Sequence, residues 1–163
     1  MEAGIGIGVA LSLSVFVWRA SRPHIAVIGR LPGTEHFRNE RRFQVQTWPG
    51  LLILRIDENL FFANISAVLD RIEAEIGARP GTRDLLLVLS SVSHIDLTAA
   101  QALERLFGDL KSRDIVLHLA EVKGPVLDRL RRGGLLGPLI RPPFVSVHAA
   151  AQALTTPPSS DKP

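Results

Sequence analysis

The chain has 163 residues, 46% hydrophobic and 21% charged, with 19 Lys+Arg against 16 Asp+Glu and no cysteine. That length fits one ordinary domain with a short appendage, and the apolar content with a formal charge of only +3 excludes a disordered chain. The absent cysteines exclude a disulfide framework, a thiolate metal site and a cysteine nucleophile, and the small net charge leaves no nucleic-acid footprint.

From Ala3 to Trp18 the chain reads AGIGIGVALSLSVFVW, sixteen residues without a charge. At a rise of about 1.5 Å per residue they reach about 24 Å, against a bilayer core of about 30 Å. Residues 3–18 therefore predict an apolar membrane helix that is a marginal span or the end of a longer one. A secretory signal would want a positive start and a small-x-small exit, where this run has Met1-Glu2 and Trp18-Arg19. Trp18 followed by Arg19 and Arg22 reads as an interface anchor, with the positive residues on the cytoplasmic side. Gly4, Gly8 and Ser12 recur every four residues, a small-residue face of the kind that lets membrane helices approach. The alternative is a buried N-terminal helix of a soluble domain.

Residues 19–42 carry six arginines and two glutamates, with turn signals at Pro23, Gly29 and Pro32-Gly33, and read as a basic, membrane-facing connector. The folded domain is expected over 43–154. Phe43–Trp48 alternates and predicts a strand, stopped at Pro49-Gly50, with Leu51–Ile56 as its hairpin partner and Leu60–Phe62 as a short third segment. Ile65, Val68, Leu69, Ile72 and Ile76 predict one face of a helix that Pro80-Gly81 ends. Leu85–Leu89 is continuously apolar, the pattern of a strand covered on both faces. A second helix starts near Asp96 or Thr98 and carries Ala99, Leu103, Leu106, Phe107 and Leu110 inward, followed by a strand over Ile115–Ala120. Gly124-Pro125 opens a short helix through Arg132, closed by Gly133-Gly134. Phe144-Val145 reads as a last strand, Val147–Leu154 as a last helix, and 155–163 as a disordered tail. Strands alternating with amphipathic helices predict an α/β sandwich.

No catalytic constellation is legible. His24, His36, His94, His118 and His148 are scattered, without metal-ligand spacing, and Ser90, Ser91 and Ser93 lack the nucleophile-elbow pattern. His94 and Asp96 would make half of a metal or acid/base site, but a loop histidine beside a helix cap is the simpler reading. Neither an enzyme nor a cofactor is expected. The segment of interest is Val92–Gln101, which joins a buried strand to a helix. Asp96 or Thr98 can cap that helix, and Thr98 with Gln101 has capping-box spacing. A phosphate on Thr98 would sit at a helix N-terminus, where free N–H groups and the dipole favour negative charge. A plain cap is the alternative.

A strand, then Ile95-Asp96-Leu97-Thr98, a helix, a strand and Val122-Lys123-Gly124-Pro125-Val126 opening another helix resembles the STAS domain. That fold is shared by anti-sigma-factor antagonists and SulP-type sulfate permeases. The SulP branch is the better match: Glu2–Trp18 is similar to the end of its last membrane segment, Arg22–Thr34 to its connector, and Leu54–Asn64 to the domain's entry. The resemblance implies a mixed β-sheet packed with amphipathic helices, held on the cytoplasmic side of the cell (inner) membrane as a regulatory module of a sulfate or other anion transporter. Such a module works by protein contact, with the transporter membrane domain or another regulatory protein as partner, and nucleotide as a possible ligand. Carried over from the antagonists' D-S-[ST]-G motif, Asp96 matches the acidic residue and Thr98 the phospho-acceptor, while Leu97 and Ala99 depart from Ser and Gly. One apolar segment forms no transport path by itself. The chain is thus read as a permease tail or as a tethered stand-alone module. The alternative is a stand-alone antagonist-like switch phosphorylated on Thr98.

Overall fold

A computed structural model of the chain describes residues 2–134, 137, 139 and 141–155. The tail expected beyond Thr155 lies outside the described residues. The uncharged N-terminal run folds as a helix, α1 (Glu2–Ala20). Its large apolar side chains from Ile5 to Trp18 are all more than half exposed, on every face. This removes the alternative of a buried helix in a soluble domain. The expected membrane helix is met as a helix and not as a span: among the described residues no helix is long and apolar enough to cross a membrane. The apolar run stops at Trp18, which limits its reach.

Four residues, 21–24, lead from α1 into β1 (Ile25–Arg30), followed by β2 (Phe37–Asn39) and β3 (Leu51–Ile56). Then come α2 (Ile65–Gly77), β4 (Asp84–Val88), α3 (Leu97–Ser112), β5 (Val116–Ala120), α4 (Gly124–Arg132) and α5 (Val147–Thr155). The five strands form one mixed sheet in the order β2-β1-β3-β4-β5. β1 pairs antiparallel with β2 and β3, whereas β3, β4 and β5 run parallel. The connector reading of 19–42 is thereby corrected, because Ile25–Arg30 and Phe37–Asn39 belong to the sheet. The expected strand over 43–48 is corrected with it. β3 already has β1 on one side and β4 on the other, so no ladder is left for a hairpin partner. Residues 43–48 keep only isolated bridges, Arg30–Gln46 and Trp48–Leu51. Phe144-Val145 makes one bridge, Phe144 to Ala120, and Val145 is exposed.

Side chains alternate across the sheet, so each strand serves two cores. Val27, Leu54, Leu87 and Leu119 stand in register on one face. There they meet the stripes Ile65, Val68, Ile72 and Ile76 of α2, Ala99, Leu103, Leu106 and Leu110 of α3, and Val126 and Leu130 of α4. The opposite face carries Ile28, Ile53, Leu86 and Val88, covered by Val147 and Ala150 of α5 with Phe144, Phe37 and Trp48 at the margin. The second face also holds His118, buried in register with Leu86, whose Nε2 lies 2.8 Å from Asp84 Oδ1.

Candidate functional site

Parallel strands bring their carboxyl ends to one edge, and in open α/β sheets that edge is where partners and ligands gather. Here the loops after β3 (57–64) and β4 (89–96) meet at that edge. Leu60 and Ile95 form a parallel bridge, with Leu60 N–H donating to His94 O at 3.1 Å and Asp96 N–H donating to Leu60 O at 3.1 Å. Two asparagine side chains fix the pair of loops. Asn59 Oδ1 accepts from the N–H groups of Ser93 at 2.8 Å and His94 at 2.9 Å. Asn64, fully buried, donates from Nδ2 to Asn59 O at 2.7 Å and accepts the Phe61 N–H at 3.0 Å. Asn64 sits at the cap position of α2, yet its side chain makes no cap bond to that helix and is spent on the loop.

Asp96 is the N-cap of α3, its backbone extended and its Oδ1 accepting the Ala99 N–H at 2.8 Å. Its Oδ2 accepts the Phe62 N–H at 2.8 Å, which ties the cap to the neighbouring loop. The choice left open between Asp96 and Thr98 thus falls to Asp96, and the Thr98–Gln101 box does not cap the helix. Thr98 is exposed at the second helical position. His94 is exposed as well, and both Asp96 oxygens are taken by backbone donors, so the two do not form a joint acid/base pair. Lys123, the N-cap residue of α4, donates from Nζ to Ser93 Oγ at 2.7 Å, and within α4 Arg129 Nε donates to Ile95 O at 3.3 Å. Phe62 and Leu97, 71% and 50% exposed, present apolar surface at the same tip. The arrangement is a helix start capped by Asp96, with an apolar rim and cationic neighbours.

A second polar cluster lies at the β1–β3 seam. Arg55 Nε donates to Asp57 Oδ1 at 2.6 Å, and His24 Nδ1 lies 2.8 Å from Asp57 Oδ2. Partial burial by itself would raise the Asp57 carboxyl. The hydrogen bonds from Arg55 and His24 outweigh it and hold the group below the usual carboxylate range. The bond to Asp57 likewise raises Arg55, against the opposing effect of its burial. Among the described residues no three His, Asp or Glu side chains stand together as a metal-binding group.

Sequence reading singled out Asp96 and Thr98 and missed Asn59, Phe62, Asn64 and Lys123. Their partners lie 30 to 35 positions away for Asn59, Phe62 and Lys123. The one local signal was Asn64 just before an apolar-periodic helix, which reads as an ordinary cap.

The family profile of the STAS domain matches residues 42–150. Over 93% of its length the chain is 36% identical to sulfate transporter 4.1, chloroplastic, and 37% identical to probable sulfate transporter 4.2, both of Arabidopsis thaliana. It is 31% identical over 83% of its length to high affinity sulfate transporter 2 of Stylosanthes hamata. The chain spans about a quarter of the length of these relatives, 24%, 24% and 22%. Among solved structures, the murine Slc26a9 anion transporter in the inward-facing state superposes with a TM-score of 0.81 at 23% identity, covering 93% of this chain and 26% of that one. That last likeness is one of fold.

Proposed function

The chain belongs to the STAS domain family, and from that premise we propose that it is the regulatory module of a SulP-type sulfate or anion transporter. The observation that carries this reading is the extent of the similarity: it covers 93% of the chain, well beyond the 42–150 domain. Helix α1 then continues a transporter's membrane segment and keeps the domain at the cytoplasmic side of the membrane. The domain acts there by contact with the membrane part, through the tip formed by Phe62, Leu97 and the start of α3, with no catalytic step of its own. Fractionation tests the attachment. The full chain is expected to sediment with membranes and to resist extraction by salt, and a chain that stays in the supernatant would sink this reading.

A switch on the same tip is favoured by one observation, the exposure of Thr98 in the first turn of a helix capped by Asp96. A phosphate there would add negative charge next to Leu97 and weaken an apolar contact. Incubation with serine/threonine kinases from the source cell should label the wild type and spare Thr98→Ala. Equal labelling of both removes the switch and leaves the contact module standing.

A further inference from the structure

Directly beyond α1 the chain builds a groove of about 370 Å³ whose walls include Pro23, His24, Asn39, Arg41, Arg42 and Arg71. No carboxylate lines it. Glu75 is engaged with Arg71 and Arg79, Glu40 with Arg79, and Asp57 with Arg55 and His24. Arg41 reaches Glu75 only at 3.8 Å, and Arg42 makes no ion pair among the described residues. Arg71 leaves its Nε, buried in the wall, without a hydrogen-bond partner. Two exposed arginines in a groove that no carboxylate lines are an arrangement that an oxyanion completes, because planar N–H forks match phosphate oxygens.

The place of the groove says which oxyanion. Pro23 is three residues past Ala20, so the groove wall begins within about 11 Å of the end of α1. Between them Arg22 stacks on Trp18, its guanidinium carbon 4.2 Å from the ring centroid. An indole with a cation at the end of an exposed apolar helix marks the depth of lipid headgroups. We propose that the Arg41–Arg42–Arg71 groove binds the phosphate of an anionic lipid headgroup. This site rests on the reading that α1 enters the bilayer, and it adds a headgroup preference that insertion alone does not give.

Flotation of the full chain with vesicles tests it, using phosphatidylcholine alone and phosphatidylcholine containing phosphatidylglycerol. The expected result is stronger binding to the mixed vesicles. Arg41→Gln and Arg42→Gln should each reduce that binding about fivefold and leave binding to phosphatidylcholine unchanged. Arg105→Gln, an equal loss of charge on the exposed side of α3, should change neither. Equal binding to both vesicles overturns the proposal, keeps α1 as an anchor and leaves the arginines to an acidic protein partner. A loss with Arg105→Gln as large as with Arg42→Gln also overturns it, since general surface charge then suffices. Thermal stabilisation by inorganic phosphate without a vesicle preference overturns it in favour of a soluble anion. Failure to bind any vesicle overturns this site together with the insertion of α1.

Discussion

Asp96 holds two backbone N–H groups from different segments, Ala99 in its own helix and Phe62 in the facing loop. Truncating it removes a cap and leaves the second donor without its partner. Asp96→Ala is therefore expected to destabilise the domain by about 2 kcal/mol in urea denaturation, and Thr98→Ala by no more than about 0.5 kcal/mol. Similar losses at both positions would mean that Thr98 carries structure. Asp57 offers a test in pH. Its carboxyl lies below its ordinary value when folded, so its contribution is complete above the unfolded pKa and fades as the pH falls through the folded one. The group is only partly buried and one of its partners, His24, is exposed, so the contribution is about 0.5–1 kcal/mol. The stability gap between wild type and Asp57→Asn is expected to be present at about pH 5 and to close below about pH 4. A gap that persists at lower pH would assign the effect to shape rather than charge.

Elements whose own residues carry their period were legible. Ile65–Ile76 and Ala99–Leu110 announce helices by spacing, and Leu85–Leu89 announces a doubly covered strand, which β4 is. Ile25–Ile28 carried an apolar signal too, but Pro23, Gly29 and the surrounding arginines hid a strand inside what reads as a connector. Phe43–Trp48 misled in the opposite sense, since alternation describes any extended segment lying along a sheet and cannot tell whether a ladder is free. Its place is fixed by Gly29. A Cβ there would stand 2.7 Å from Gln46 O and 2.7 Å from Val45 Cγ2. Gly29→Ala is expected to cost about 1–3 kcal/mol, seen as a lower urea midpoint with an unchanged slope. An unaltered midpoint would mean that residues 45–46 move aside freely. At the tip, the Asp96 cap was legible because capping is local, whereas the Asn59 bonds join groups more than 30 positions apart and leave no local trace.

On the scale of the molecule the sheet has unequal cover among the described residues: α2, α3 and α4 on one face, and α5 with Phe144 on the other. Ile28, Ile53, Leu86 and Val88 rely on that thinner layer. Each contributes about 1.5–3 kcal/mol by burial, together comparable with the whole stability of a small domain, about 5–15 kcal/mol. A chain ending at residue 140 is expected to lose its cooperative thermal transition and to bind the dye ANS. A sharp transition in that variant would show that α5 is dispensable. The four-residue link between α1 and β1 works on the same scale. Stretched fully it spans about 14 Å, so the sheet never leaves the neighbourhood of whatever holds α1. A leash that short gives an effective concentration in the millimolar range. A contact with a millimolar dissociation constant, negligible between separate molecules, is then occupied for much of the time within one chain. On the contact reading proposed above, the surface at the start of α3 need only be small, and a phosphate on Thr98 would be enough to release it.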